Sequence, residues 1–201
     1  MCSCLFSGCS SLKEVPKLRL NKVTELNETF LDCRNVKEID VSGWNTENLS
    51  QMYKTFYNTG LVENPQLDTS NVYRFESLFD SCSNLKRVKN LNTSKATSLD
   101  KLFAYCYYLE SVDELDASSV NYSSSTYNSP VYYCYLLRHF GGLKGIKYSW
   151  SANMTYSLSY ESLQNIINGL ADGVSGQTLY LYQDLVNQLS DDDIAIATNK
   201  G

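Results

Sequence analysis

Histidine is nearly absent from this sequence of 201 residues, which contains only His139. Ser-His-Asp triads and most histidine-ligated metal sites therefore have no basis in the chain. The sequence also lacks glycine-rich phosphate-binding loops, the G-x-S-x-G nucleophile motif and the H-E-x-x-H zinc motif. These absences make catalysis the least favoured class of function.

Basic residues and long apolar runs are also scarce. Seventeen Lys and Arg face 22 Asp and Glu, and the resulting net charge of -5 has the wrong sign for a phosphate-binding surface. No apolar run approaches the roughly 18 residues that a membrane-spanning helix needs. With 43% hydrophobic and 19% charged residues, the sequence predicts a soluble globular protein with no nucleic-acid partner and no membrane span.

The cysteines are spaced as a repeat and not as a disulfide framework. Seven cysteines cannot all pair internally, and five of them recur at steps of 24, 49, 24 and 28 residues. The step of 49 is a doubled period with one site missing. Such a period is typical of stacked repeat proteins. We predict that these five thiols are reduced, buried and aligned in one structural column: Cys9, Cys33, Cys82, Cys106 and Cys134.

Aligned copies of the repeat read FSGCSSLKEV, FLDCRNVKEI, FDSCSNLKRV and FAYCYYLESV. The third copy, FYNTGLVEN, has Thr59 in place of cysteine and lacks one residue, and the sixth, VYYCYLLRHFGGL, is looser. Six imperfect copies thus cover residues 1–147. Cys2, Cys4 and Cys9 also form C-x-C-x4-C, a pattern able to ligate a soft metal. No second Cys or His pair follows at zinc-finger spacing, so we expect no metal and no cofactor.

Within one copy the apolar pattern changes its period. Leu85, Val88 and Leu91 predict a short extended segment with its apolar side chains turned inward. Next come NTEN, DTSN and NTSK, whose side chains can accept from the N–H groups that open a helix. The apolar positions of TSLDKLFAYC then follow the i, i+3, i+4, i+7 rule. The fold class predicted is an α/β repeat solenoid of short strands and short helices, stacked into a continuous core.

The motif F-x-x-C-x-x-L, followed by L-[DN]-T-S-x-[VA] at about 24 residues, resembles the BspA-like leucine-rich repeat family of bacterial surface proteins. The positions that carry the resemblance are Phe6, Cys9, Leu12; Phe30, Cys33, Val36; Phe79, Cys82, Leu85; and Phe103, Cys106, Leu109. The resemblance implies a curved, right-handed leucine-rich-repeat coil that binds host proteins, glycans or other cells, and it implies no catalytic residue. Departures are Thr59, the extra residues around Val41 and Ser42, and the serine-rich NYSSSTYNSP segment.

Residues 148–201 break the period and predict a C-terminal α/β cap of helix, strand and helix. SYESLQNIINGLADG has one apolar helical face, with Ser159 as N-cap and Gly173 just past the end. TLYLY at 178–182 alternates as a strand, and SDDDIAIATNKG opens with Ser190 and three aspartates, which suit a helix N-terminus. A calcium site at the aspartates would lack the glycine and distal glutamate of an EF-hand. The segment resembles the ending of many BspA-like proteins of gut bacteria and their phages.

The outward positions of the extended segments form a surface that we call the rung face. The candidate ligand-binding residues are Lys86, Arg87, Lys89, Glu110, Asp113, Arg138 and His139 on the rung face, with Tyr132 and Tyr135 as aromatic anchors. Tyrosine, serine and asparagine gather in copies five and six, among them Tyr122 and Tyr127, and are typical of adaptable binding surfaces. Alternatively, the charges form cross-rung ion pairs that each contribute little to stability, and several tyrosines fill core positions.

These observations indicate a non-catalytic binding module, an adhesin-like protein that binds protein or glycan on another cell or host surface. A structural alternative is a virion or tail-associated attachment component of a phage. An enzyme ranks third, since a Cys134–His139 nucleophile would need both side chains on one side of the repeat, and the register separates them. MCSCLF has no signal-peptide pattern, so we expect either part of a longer secreted chain or a phage component without its own export signal.

Overall fold

The computed structural model describes residues 2–121 and 128–200, so Tyr122 and Tyr127 lie outside the described residues. Its regular elements are short. In chain order they are β1 (Arg87–Val88), β2 (Ser111–Val112), β3 (Leu115–Asp116), β4 (His139–Phe140), β5 (Leu143–Lys144), β6 (Trp150–Ser151), α1 (Tyr160–Gly169), β7 (Leu179–Tyr180), α2 (Gln183–Val186) and α3 (Asp191–Lys200).

Successive repeat units pair with one another in parallel. Strands β1, β2 and β4 form one sheet, β3 and β5 a second, and β6 and β7 a third. In the first sheet Arg87 pairs with Ser111, and Ser111 with His139. Single bridges continue this register toward the N-terminus, for example between Glu63 and Arg87. The units therefore stack directly on each other, at the period that the cysteines indicated.

The short helix predicted in each unit is wrong. The segment that contains the phenylalanine forms two consecutive β-turns, closed in the second unit by hydrogen bonds from Thr29 N–H to Leu26 O and from Cys33 N–H to Phe30 O, both 3.1 Å. The third residues of these turns, Glu28 and Asp32, have φ of 56° and 61°. A positive φ at that position defines a type II turn and interrupts any right-handed helix. Within the described part of the repeat array no α-helix occurs.

Hydrogen bonds between units explain this preference for turns. In the second unit the N–H groups of Glu28, Phe30 and Asp32 donate to carbonyls of the next unit at 2.9 Å each. Alternate backbone groups thus point along the stack, whereas a helix would satisfy them inside its own segment. The apolar positions of this segment suit either structure, so only the neighbouring unit decides between them.

The Asn and Asp residues after each extended segment also act differently from the prediction. Ser94 N–H donates to the Asn92 side chain at 3.1 Å, and Ser118 N–H to Asp116 at 2.9 Å. The acceptors predicted from sequence are therefore real, but each accepts from the N–H group two residues later, which closes an Asx-turn and caps no helix. The turn lets the chain reverse direction between the extended segment and the stacked β-turns.

A ladder of phenylalanine rings runs through the core. Phe6, Phe30, Phe56, Phe79 and Phe103 stack in sequence, with ring centroids 5.3 to 5.9 Å apart. All except Phe6 are almost completely buried. Because each unit places the same ring at the same height, each of the three inner rings contacts the ring above and the ring below. Stacked aromatic pairs add roughly 0.5–1.5 kcal/mol beyond the area they bury.

The cysteine column is buried at four of its five positions. Cys33, Cys82, Cys106 and Cys134 have no exposed surface, and each is a free thiol. Cys9 occupies the same register but is exposed, which corrects its predicted burial. It lies in the first unit of the described stack, where only one side of the column is covered by a neighbouring unit.

The third unit accommodates its missing residue through Gly60. Thr59 takes the cysteine position, where its hydroxyl lies 3.2 Å from the Cys82 sulfur. A Cβ atom on Gly60 would lie 2.5 Å from the carbonyl oxygen of Arg34. A glycine therefore allows the shortened segment to approach the preceding unit, and the column continues through the deletion.

The C-terminal segment covers the end of the stack with α1. Ser159 caps the helix as predicted, since its side chain accepts from Ser162 N–H, but the helix ends at Gly169 and not next to Gly173. The apolar face of α1, with Leu163 and Ile166 buried, packs against β4 and β5. A further turn between Ala152 and Thr155 repeats the pattern of the array beyond residue 147, where we placed its boundary.

Helix α3 lies beside α1 and runs in the same direction. Near its start, the Asp193 carboxylate accepts from the Tyr160 hydroxyl at 2.6 Å and from Ser190, which hold its pKa down at about 2. At its end, the Lys200 ammonium donates to the Asn168 and Leu170 carbonyls at 2.8 Å each. Ser190 and Asp193 form the predicted capped N-terminus, and α2 is an additional short helix before it.

Candidate functional site

The candidate residues of the rung face line up in columns across the stacked units. Glu110 N–H donates to Lys86 O at 2.9 Å, and Arg138 N–H to Glu110 O at 3.0 Å, so these three residues share one column. Arg87 and His139 share the next column, on either side of Ser111. The side chains of all seven rung-face candidates are exposed: Lys86, Arg87, Lys89, Glu110, Asp113, Arg138 and His139. One continuous surface therefore carries them.

These charges do not neutralise one another. Among the described residues, none of the seven rung-face candidates takes part in an ion pair, although such pairs form nearby between Lys144 and Glu114 and between Lys17 and Asp40. The Asp113 carboxylate does accept a hydrogen bond from Asn90 N–H at 3.1 Å. The cross-rung ion pairs weighed as an alternative are thus absent from this group, and the charges face solvent.

Tyr132 is not the aromatic anchor that we predicted. Its side chain is buried, and its ring packs against Tyr133 with centroids 4.2 Å apart. Its carbonyl also accepts from Tyr105 N–H at 2.8 Å. The segment places Tyr132 at an inward position of the β-turns, so it supports the surface and does not form it.

Tyr135, in contrast, is half-buried and belongs to a row of stacked rings at the surface that we call the tyrosine ladder: Tyr107, Tyr135 and Tyr156. The Tyr135 ring lies 5.7 Å from Tyr107 and 5.6 Å from Tyr156, and the planes are tilted by only 17° and 10°. Tyr182 meets Tyr156 edge-on at 4.9 Å. Tyr107 and Tyr156 remain 41% and 45% exposed. Three successive units thus stack phenol rings at the surface, with the half-buried Tyr135 ring between two exposed ones.

The sequence contains a signal for the ladder, which the gathering of tyrosines in copies five and six does not reveal. Tyr107 directly follows Cys106, and Tyr135 directly follows Cys134. Tyr156 follows Thr155, whose N–H closes the turn to Ala152 as the cysteines do in their own units. The position after the cysteine column therefore predicts all three rings, provided that Thr155 is recognised as occupying that column.

The ladder borders the rung face. Tyr107 and Tyr135 each precede a rung-face charge, Glu110 and Arg138, by three residues. Between them the chain turns inward through Leu109 or Leu137, both completely buried. Desolvation and neighbouring phenols raise the pKa of Tyr135 above its ordinary value of 10.0. The two surfaces together combine aromatic area, hydroxyl groups and unpaired charges of both signs.

The structure does not favour a Cys134–His139 nucleophile. Cys134 is completely buried, and its thiol donates to the Phe103 carbonyl at 3.1 Å, whereas His139 is exposed on the rung face. Burial also raises the pKa of Cys134 far above its usual range, which suppresses the reactive thiolate. In the described part of the chain, no three metal-ligating side chains come together, at Cys2, Cys4 and Cys9 or elsewhere.

Comparison with known proteins places the repeat array in a family. The family described as "Mycoplasma protein of unknown function, DUF285" matches residues 1–82 and 63–133. A solved leucine-rich repeat protein from Bacteroides ovatus is 15% identical, with a TM-score of 0.36; the match covers 87% of this chain and 56% of that protein. None of the curated proteins compared with the sequence matches it. Because the two family matches together span well over half of its residues, the chain belongs to the DUF285 family.

Proposed function

We propose that this protein is a non-catalytic binding module that recognises a protein on another surface. The observation that carries the proposal is the tyrosine ladder, in which Tyr107 and Tyr156 are exposed and the half-buried Tyr135 stacks in parallel with each of them. Tyrosine supplies large contact area at low conformational cost and is enriched among the residues that dominate binding energy. The repeat holds these rings in fixed positions, so little ordering is needed on association.

The ladder favours a protein over a glycan. A sugar ring binds an aromatic residue by lying over its free face. Here the face of Tyr135 is covered on both sides, by Tyr107 at 5.7 Å and by Tyr156 at 5.6 Å. The middle ring therefore offers only its edge and hydroxyl group, which suit backbone amides and apolar side chains of a partner protein.

The rung face adds charge selectivity. Three cations, Lys86, Arg87 and Lys89, lie in one unit, and two anions, Glu110 and Asp113, lie in the next. Because none of them is ion-paired among the described residues, a partner with the opposite arrangement would meet free charges. Such complementarity accelerates association and excludes wrong partners more than it strengthens binding.

The resemblance to BspA-like proteins supports an adhesin-like role at a cell surface. In the described residues, no helix is long and apolar enough to cross a membrane. A phage virion or tail-associated attachment component would use the same binding surface, and genome neighbourhood would distinguish the two roles.

The full chain, labelled and screened against paired arrays of surface proteins and glycans, tests the proposal. We expect a saturable protein hit whose affinity falls at least tenfold in Tyr107→Ser/Tyr135→Ser with little change in melting temperature. Tyr73→Ser, which removes an equally exposed ring outside the ladder, is the matched control. Hits confined to glycans, or equal losses in both variants, would refute the proposal.

A charge reversal separates the contributions of the two surfaces. Arg87→Glu/Lys89→Glu should slow association with the protein hit, and the effect should shrink as salt concentration rises. Lys13→Glu/Lys37→Glu changes the same number of exposed charges in the first two units and serves as its control. Unaltered association in the Arg87/Lys89 variant would confine the binding site to the tyrosine ladder.

A further inference from the structure

The first unit of the stack, residues 2–20, has a row of backbone carbonyls without partners. From the first unit to the sixth, N–H groups in the turns of each unit donate to alternate carbonyls of the next, as Phe6 does to Thr29 O at 2.8 Å. In the first unit the accepting positions are the carbonyls of Ser3, Leu5 and Ser7. None of these three carbonyls accepts a hydrogen bond from a described residue. We call this surface the acceptor edge.

Apolar side chains of the first unit are uncovered at the acceptor edge. Phe6 and Leu12 are only half-buried, whereas Phe30 and Val36, their equivalents one unit later, are completely buried. Leu5 is 52% exposed. An edge that combines unpaired backbone groups with apolar side chains is a template for pairing with another chain.

Strand β7 presents the opposite hydrogen-bonding groups at the far end of the stack. Within the described residues it pairs only with β6, through Tyr180, whose carbonyl accepts from Ala152 N–H at 2.8 Å. Alternate residues of a strand bond to opposite sides, so the backbone groups of Leu179 and Leu181 point away from β6. Their N–H groups have no acceptor in the described part of the chain. We call this surface the donor edge.

The segments that form the two edges carry opposite charge. Residues 2–22 contain four basic side chains and one acidic one, and residues 170–200 contain one basic side chain and five acidic ones. The basic residues of the first segment are Lys13, Lys17, Arg19 and Lys22, and the acidic residues of the second are Asp172, Asp184, Asp191, Asp192 and Asp193. Among the described residues, only Lys17 and Asp172 of this set take part in an ion pair. Complementary charge steers the two ends together and opposes contact between like ends.

We propose that a second copy of this chain covers each edge, in a head-to-tail arrangement that joins the donor edge of one copy to the acceptor edge of the next. Both rows place their groups on alternate residues, so Leu179 N–H meets Ser3 O while Leu181 N–H meets Leu5 O. Two identical edges cannot pair in this way, because carbonyls would face carbonyls and like charges would face each other.

The contact joins two different surfaces at opposite ends of the stack, so it extends into an open filament. Neither edge contains a residue of the tyrosine ladder or the rung face. The inference therefore does not rest on the proposed function.

Sedimentation velocity of the full chain over a concentration series tests the proposal. We expect species larger than a dimer that grow with protein concentration, and a mean mass that falls as sodium chloride is added, because salt screens the opposite charges. A chain that stays monomeric up to about 1 mM, or that forms dimers that do not grow, would overturn the proposal.

Two variants and their mixture locate the contact. Leu5→Glu places an acid on the acceptor edge, opposite the acidic segment, and Leu181→Pro removes one N–H group from the donor edge. Each variant alone should lose the larger species. A one-to-one mixture should form a heterodimer that does not grow, because it retains one intact edge of each kind. Leu136→Glu changes an exposed leucine outside both edges and should assemble like the parent chain.

The mixture also separates loss of the contact from loss of folding. If Leu181→Pro disturbs β7, the acceptor edge of that variant still pairs with the donor edge of the Leu5→Glu chain. Single variants that assemble like the parent chain, or a mixture without a heterodimer, would refute the head-to-tail contact.

Discussion

Each buried cysteine donates its thiol hydrogen to the carbonyl of the phenylalanine in the preceding repeat unit. Cys106 donates to Phe79 O at 3.1 Å, and Cys82 to Phe56 O at 2.9 Å. The residue is therefore more than a small apolar filler, because its thiol links two units through a backbone carbonyl, which at Phe79 also accepts the turn hydrogen bond from Cys82 N–H. The sequence predicts the burial of this column, but the hydrogen bond appears only once the units are stacked.

Thiol reactivity should divide the cysteines into two groups. We expect a thiol reagent at pH 8 to modify Cys4 and Cys9 quickly in the native chain, and the half-buried Cys2 more slowly. The four buried thiols should react only after denaturation: Cys33, Cys82, Cys106 and Cys134. Burial removes access to them, and it raises the pKa of Cys33 and Cys82 to about 11. A Cys4→Ser/Cys9→Ser variant should lose the fast phase. Disulfides among the buried four would contradict the column.

Asp80 is a buried carboxylate whose ionisation opposes folding. It is 5% exposed, and burial raises its pKa despite hydrogen bonds from the Ser81 and Ser77 hydroxyls. A carboxyl with a raised folded-state pKa lowers stability as pH rises above its ordinary value of 3.8. We expect Asp80→Asn to melt at a higher temperature relative to the parent chain at pH 7 than at pH 4. A difference that is constant with pH, measured by circular dichroism, would contradict this account.

At the scale of elements, α1 completes the edge of the β1-β2-β4 sheet with side chains. The Ser162 hydroxyl donates to Arg138 O at 2.8 Å and accepts from Phe140 N–H at 2.9 Å. The Asn165 side chain donates to Phe140 O at 3.3 Å. A helix cannot extend a sheet through its backbone, so its polar side chains take the place of the next strand.

Removing that hydroxyl should destabilise the whole chain. We expect Ser162→Ala to lower the free energy of unfolding by about 1–3 kcal/mol, because the buried Phe140 N–H loses its acceptor. Asn168→Ala, at an exposed position of the same helix, should change it by less than about 0.5 kcal/mol. Urea denaturation of the three chains measures both effects. Equal unfolding midpoints for the two variants would mean that water replaces the hydroxyl.

The elements also show where reasoning from sequence fails. The α1 helix and its Ser159 cap follow from local pattern, because ten residues with one apolar face can form most of their hydrogen bonds internally. The segment around Phe30 has the same apolar spacing but forms two turns. Its length allows either structure, and the next unit offers acceptors for alternate N–H groups, so the choice depends on a neighbour about 24 residues away.

At the scale of the molecule, stability depends on covering the last unit. Deleting residues 159–201 removes α1 and exposes the apolar residues that it covers on β4 and β5, including Phe140 and Leu143. Large exposed apolar patches promote association, so the truncated chain should aggregate or melt at a lower temperature. Size-exclusion chromatography and thermal melting measure these outcomes. A monomer with an unchanged midpoint would show that the segment is an independent tail.

The sequence by itself determined the period, the residues of the core columns and the presence of a terminal cap. Stacking requires the same side chain at the same height in each unit, so phenylalanine and cysteine recur visibly along the chain. Only the tertiary structure decided that the units are built from turns, that Tyr156 joins Tyr107 and Tyr135, and that β7 has an unpaired edge. Each of these features depends on which distant group lies opposite a given backbone or side-chain atom, and that pairing exists only after the units have stacked.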